Sequence, residues 1–371
     1  MPALQHDSTP TASAFARIGL LAYTLLIVYA SWYPFTGWQS IGLSASAFLL
    51  APLPHYWTLF DVATNVAGYV PFGILMVFAL YPRVRRGWAI ALTIACGVLL
   101  TGTMEAVQTF LPTRVASNLD FLTNAAGAAI GAAAGALLTR TFLEQSRFLM
   151  LRRHWLSQDA GRALIVLALW PLAQIYPQGY LFGHGQIAPI LSEWFSAWLA
   201  TPIDLGATLR HGTELSIGQY WLSETVITAC GLTGALLTLS CVLRDSAPKV
   251  LLMLALLAVA VTLKTLASAL LFAPENAFAW LTPGAEGGLL LGAILLAALA
   301  FAPQRAQRLA AALMLIVGLI AVNAAPSNPY FIATLQTWVQ GKFLNFNGAA
   351  QFLSLLWPFA TLWLLAVPAR T

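Results

Sequence analysis

Long apolar runs, each about the length that crosses a bilayer as a helix, alternate with short polar breaks along this chain. Ten such runs are read at 16–35, 61–81, 88–111, 120–139, 163–182, 223–243, 250–272, 286–302, 309–325 and 351–367. The runs are continuous and rich in Leu and Ala. A membrane β-barrel would instead show ten-residue segments of alternating polarity. In hydrocarbon only a helix satisfies its own backbone within such a run. The pattern therefore predicts an all-α polytopic membrane protein of about ten transmembrane helices. The first run is followed by Thr36-Gly37-Trp38, without a clear small-residue cleavage site. It is expected to stay as a helix rather than be removed as a signal peptide.

Composition narrows the class further. Of 371 residues, 59% are hydrophobic and only 8% charged, and the mean hydropathy is +0.78. Soluble domains carry about 25% charged residues, so a soluble enzyme is excluded. Cys96, Cys230 and Cys241 all sit in apolar runs and form no disulfide framework. The net charge of +5 is small, and its placement argues for topology rather than a nucleic-acid partner. With both termini on the cytoplasmic side, 14 of the 18 basic residues fall in cytoplasmic segments. Arg114, Arg210 and Lys342 fall outside, and Lys264 lies within a span. Most acids, among them Asp61, Glu105, Asp120, Glu193, Asp204, Glu214, Glu224, Glu275 and Glu286, map to the outer half or the outer loops.

Three regions follow from these breaks. Residues 1–140 are read as a four-helix membrane domain, 141–162 as a basic connector beside anionic lipid heads, and 163–371 as a second domain of about six helices. The outer segment 183–222 carries Trp194, Trp198, Tyr220 and Trp221, which favour the headgroup level; 36–58 is read the same way.

The first domain contains a repeat. Residues 61–68 and 120–127 share the pattern D-x-x-T-N-x-A-G, and both copies open a helix running inward. Asp61, Asn65 and Gly68 share one helix stripe, as do Asp120, Asn124, Gly127 and Gly131. The acids suit helix capping or a ligand, whereas the glycines suit close helix packing. A fainter echo, Glu224, Thr228 and Gly231, opens the sixth run.

Between the two copies, Glu105 lies seven residues before Pro112, roughly 10 Å below the outer end. Gln108 follows on the same face, and Arg114 lies in the outer loop that follows. An ionisable group at that depth is expected to face the bundle interior with a partner. Packing of the three helices would gather Asp61, Glu105 and Asp120 against Arg114. Lys264 lies at similar depth in the second domain and is expected to pair there with Glu224 or Glu286. Pro71-Phe72-Gly73 interrupts the second run and frees the Ala67 carbonyl. His6, His55, His154, His184 and His211 are placed in tails and loops. None has metal-ligand spacing; His184, His211 and Glu214 are the nearest approach to a zinc set. No metal or cofactor is called for.

Residues 60–135 resemble the VanZ-like family of bacterial membrane proteins. The resemblance rests on Asp61, Asn65, Pro71-Phe72-Gly73, Glu105-x-x-Gln108, Arg114, Asp120, Asn124, Gly127 and Gly131. It implies a multi-pass protein of the bacterial cytoplasmic membrane and cell envelope. A founding member is associated with low-level resistance to the lipoglycopeptide antibiotic teicoplanin, and the resemblance supplies no biochemical activity.

Three functions compete on this reading. The first is binding of an amphiphile in an outer-leaflet polar pocket: a lipid, a lipid-linked envelope precursor or a lipoglycopeptide. Its residues are Asp61, Asn65, Glu105, Gln108, Arg114, Asp120 and Asn124, with Glu224, Lys264 and Glu286 as candidates in the second domain. The second is a proton-coupled transporter or flippase, which would need a polar trail from Asn65 and Asn124 to the inner face. The third is a membrane-embedded lipid-modifying enzyme with Glu105 as general base, which would need a Ser, Thr or His in reach. Nothing in the sequence fixes the oligomeric state.

Overall fold

Capping chemistry decides where several helices begin. The Thr58 hydroxyl accepts the Asp61 amide at 3.1 Å, and the Asp61 carboxylate accepts the Thr58 amide at 3.0 Å, which opens the second long helix. Ser216 and Gln219 form the same reciprocal box further on, and Thr282, followed by Pro283, caps another helix. The computed structural model describes residues 14–139 except 34, 41 and 43, then 142, 154–157, 160–326 and 344–367. Every regular element among the described residues is helical. Among them, six helices are long and apolar enough to cross a membrane: Asp61–Leu80, Arg86–Gln108, Asn118–Thr139, Ile217–Val242, Lys249–Leu271 and Gln304–Ala324. Four shorter apolar helices are Ala16–Trp32, Ala160–Ala173, Pro283–Leu299 and Ala350–Ala366.

The chain divides into two units, Met1–Arg152 and Arg153–Thr371. In the first, α1 (Ala14–Trp32), the one-turn α2 (Ala47–Leu50), α3 (Leu59–Leu80), α4 (Arg86–Gln108) and α5 (Asn118–Thr139) pack together. α3 and α5 run the same way, and α4 returns between them. Their backbones touch along one stripe of glycines. A Cβ on Gly127 would strike the Val66 carbonyl, on Gly131 the Val70 carbonyl, and on Gly135 the Ile74 Cα at 3.1 Å. The register advances four residues on both helices together, as small-residue packing in membranes requires. Gly68 stands at the repeat position of Gly127, yet open space surrounds it. Pro71 lies inside α3 without ending it. The Tyr23 hydroxyl of α1 donates to the Gly68 carbonyl at 2.8 Å, beside the turn that the proline deprives of an amide.

The second unit holds α6 (Ala160–Ala173), α7 (Ala188–Leu199), α8 (Leu205–Leu209), α9 (Ile217–Val242), α10 (Lys249–Leu271), α11 (Pro283–Leu299), α12 (Gln304–Ala324) and α13 (Leu344–Ala366). α9 is its axle: 83% of its most apolar window is buried, against 17% for α10 and 22% for α12. A helix apolar all round belongs in a core. Its small residues admit the neighbours: a Cβ on Gly231 would enter Phe182 and one on Gly234 would meet Leu315 at 2.8 Å.

The predicted run 163–182 is helical only to Ala173. Its last turn tightens, with the Gln174 amide donating to Pro171 and the Ile175 amide to Leu172, both at 3.1 Å. Pro177, Gly179, Gly183 and Gly185 then hold an irregular segment inside the unit, with Tyr180, Leu181, Phe182 and His184 all buried. Most of the connector at 141–162 lies outside the described residues. Its end is tied to the end of α9, where the Arg244 amide donates to Trp155 at 2.8 Å and the Ser157 amide to Val242 at 3.1 Å.

Candidate functional site

In the first unit the topology brings the starts of α3 and α5 and the end of α4 to one end of the bundle. The polar side chains singled out by sequence meet there. The Asn65 amide donates to the Asp120 carboxylate at 2.8 Å. One helical turn deeper, the buried Asn124 amide donates to the Thr101 hydroxyl at 3.1 Å. Glu105 is only 2% exposed, and its carboxylate accepts the Ser117 amide at 2.8 Å, which fixes the loop leading into α5. Asp120 lies within electrostatic reach of both Glu105 and Asp61, so the three carboxylates form a row. Asp61 is exposed and serves its own helix as a cap. The buried Tyr69 hydroxyl stands beside this row, near Thr101 and within electrostatic reach of Glu105.

Gln108 and Arg114 do a different job. The Gln108 amide donates to the Ser31 carbonyl at 3.0 Å, and the Arg114 guanidinium grips the Tyr33 carbonyl through Nε at 3.1 Å and a terminal nitrogen at 2.6 Å. Both tie the end of α4 and its loop to the end of α1. Burial holds Arg114 below its ordinary value, and a guanidinium stays protonated regardless. The segment 36–58 is fastened over the same end. The Gln39 amide donates to Phe110 at 3.0 Å, Asn118 donates to Ala51 at 2.6 Å, and the Phe48 and Phe121 rings lie 6.0 Å apart. Among its outward side chains are large apolar ones: Leu50 is 93% and Tyr56 97% exposed, with Leu53 and Trp57 beside them. Deeper in the bundle, polar side chains continue on α4 to Thr93 and then give way to the apolar cluster of Val77, Ala89 and Ala132.

In the second unit Glu224 and Lys264 face one cavity and Glu286 does not. Glu286 is exposed on the first turn of α11. Glu224 is 1% and Lys264 4% exposed, yet among the described residues they form no ion pair. The expected pairing of Lys264 with Glu224 or Glu286 is thus corrected. Thr282 donates to Glu224 Oε1 at 2.5 Å, and the start of α11 supplies the favourable dipole that an ion partner would otherwise provide. Lys264 Nζ reaches the Tyr176 carbonyl at 3.5 Å.

Sequence reasoning places His184 in a loop; the structure buries it between Gln174, Gln178 and Ser354. The signal is present in the run Gln174 to Gln186, too polar and too rich in glycine to continue a span. All three cysteines are free.

Residues 20–139 match the VanZ/LLP1 family model. The match takes in α1 from residue 20 onward as well as the repeat and the acid-bearing helices. No curated protein and no solved structure matches the chain.

Proposed function

We propose that the VanZ/LLP1-type segment of this membrane protein holds the head group of an amphiphile at outer-leaflet depth of the bacterial cytoplasmic membrane. The ligand class is a membrane lipid or a lipid-linked envelope precursor with an amine or hydroxyl to offer. The observation that carries this reading is the row Asp61, Asp120 and Glu105 at one end of the bundle, beneath a segment that turns Leu50, Leu53, Tyr56 and Trp57 outward. Carboxylates attract an amine, and the apolar rim suits acyl chains at the interface. Arg114 and Gln108 position the site by holding α1 against it. The topology that goes with this reading is ten spans with both termini cytoplasmic. The polar column ends at Thr93 above an apolar cluster, which favours a one-sided pocket over a transport path. Among the described residues the hydrogen-bond donor to the Glu105 carboxylate is the Ser117 main-chain amide and not a Ser, Thr or His side chain, which weighs against the enzymatic reading.

The test is to purify the full chain and its Glu105→Gln and Asp120→Asn variants from bacterial membranes and identify retained lipids by native mass spectrometry. The expected result is an amine- or hydroxyl-bearing amphiphile retained by the parent and reduced at least about tenfold in both variants, at unchanged thermal stability. Equal retention by correctly folded variants overturns the reading.

A further inference from the structure

The glycine register of the first unit recurs in the second. On α3 and α5, Gly127 sits against Val66 and Tyr69, and Gly131 against Val70 and Gly73. On α9 and α11, Gly288 sits against Thr225 and Thr228, and Gly292 against Ala229 and Leu232. Each unit therefore contains a parallel helix pair joined through glycines in the same register. The turn that leaves the first helix of each pair holds the same place, and the two turns differ in charge balance. After α9 come Arg244, Asp245 and Lys249, and Asp245 pairs with Lys249 at 2.8 Å. After α3 come Arg83, Arg85 and Arg86, with no acid among them.

The arginine turn stands at head-group level. The span Asp61–Leu80 has 20 residues, about 30 Å of helix, which is the thickness of bilayer hydrocarbon. The carboxylate row lies at one end of it and these arginines at the other. Arg17 of α1 joins them, its Nε reaching the Ala79 carbonyl at 3.5 Å, and all four arginines are exposed. Arg85 is held in place: its Nε donates to the Pro82 carbonyl at 2.9 Å, and its guanidinium lies 5.0 Å over the Tyr81 ring. Trp88 follows on α4 and is 80% exposed. Among the described residues of this unit every acid (Asp61, Glu105 and Asp120) lies toward the far end, and none of the four arginines forms an ion pair with a described residue.

We infer that this end of the first unit seats the head group of an anionic phospholipid, with Arg17, Arg83, Arg85 and Arg86 around its phosphodiester and Trp88 at the boundary with the acyl chains. A guanidinium presents a planar fork of donors that matches phosphate oxygens, and Trp favours the interfacial level. A zwitterionic head group suits the place less, because its ammonium would meet four cations and no carboxylate among the described residues. Charge excess on one membrane face orients a chain without choosing a lipid. What distinguishes this turn is that its counterpart after α9 is partly neutralised by its own acid. On the proposed orientation the lipid belongs to the cytoplasmic leaflet, opposite the site proposed above.

The test uses the full chain in nanodiscs of equal phosphatidylglycerol and phosphatidylethanolamine, with retained lipid identified by native mass spectrometry after release into detergent. Phosphatidylglycerol is expected to be retained at least about tenfold over phosphatidylethanolamine. Arg83→Gln combined with Arg86→Gln is expected to abolish that preference, while the Arg85 contacts to Tyr81 and Pro82 keep the turn in shape. Arg244→Gln combined with Lys249→Gln, at the same place in the second unit, is expected to leave it intact. If the first double variant does not fold, Arg17→Gln carries the test, with a drop of about fivefold expected. Both lipids offer a hydroxyl or an amine, and the carboxylate site is read through Glu105 and Asp120, so either reading can fail alone. No preference in the parent, a preference that survives the arginine variants, or one lost equally in the second-unit variant overturns the inference.

Discussion

His184 shows how a residue's setting outweighs its local sequence. Burial, and secondarily the Lys264 ammonium, pull its imidazole down to about 3 from an ordinary value near 6.5. The native ring is therefore neutral at pH 7, and the unfolded chain takes up a proton that the native state refuses as pH falls below about 6.5. Stability is lost progressively across that window, by at most about 1.4 kcal/mol per pH unit. Melting temperature should accordingly fall between pH 7 and pH 5 more steeply for the parent chain than for His184→Gln, as measured by thermal melts in one detergent. Equal slopes would place the acid sensitivity elsewhere. Other residues are plainer in the sequence. Asp61 and Asp120 announce helix starts, and Glu105 announces an interior group, because charge is rare in apolar runs. Which group each one meets is not legible: Arg114 takes the Tyr33 carbonyl and Glu105 the Ser117 amide, and main-chain partners leave no mark in a sequence.

Helices and their boundaries follow closely from hydropathy and capping. Thr58 with Asp61, Ser216 with Gln219 and Thr282 with Pro283 start α3, α9 and α11 within a few residues of the apolar runs. The departure at 163–182 has a physical cause. Pro177 and Gly179 break the helix, yet Tyr180, Leu181 and Phe182 keep the hydropathy average apolar across the break. The repeat also conceals an asymmetry. Gly68 and Gly127 occupy the same motif position, but only Gly127 abuts a backbone. Gly127→Val should destabilise the protein by roughly 1–3 kcal/mol through overpacking, whereas Gly68→Ala should be neutral or stabilising by up to about 1 kcal/mol. Paired thermal melts of the two variants decide the matter; similar losses would mean that the shared motif, not the contact, sets the cost.

For the whole chain, hydropathy indicates a membrane protein and the basic residues indicate an orientation. The parallel helix pair within each unit is not legible in hydropathy, nor is the helix that lies at the centre: α9, with a hydropathy of 1.8, is buried, while the more apolar α10, at 2.4, largely is not. The orientation is checked by cysteine labelling in intact cells after Cys96, Cys230 and Cys241 are replaced by Ala. Val115 is 85% exposed in the loop before α5, and Arg305 is exposed at the start of α12. A membrane-impermeant maleimide should modify Val115→Cys at the acid-bearing end and spare Arg305→Cys until the membrane is opened. The reverse pattern would invert the topology.

Gln108 and Arg114 grasp carbonyl oxygens of Ser31 and Tyr33, and Trp32 in turn donates to the Met104 carbonyl at 3.4 Å. A carbonyl is offered by any amino acid, so the clasp constrains the long donors and leaves the letters at 31 and 33 free to drift. Two descendants of this chain can thus diverge at the clasped positions and still close the same buckle.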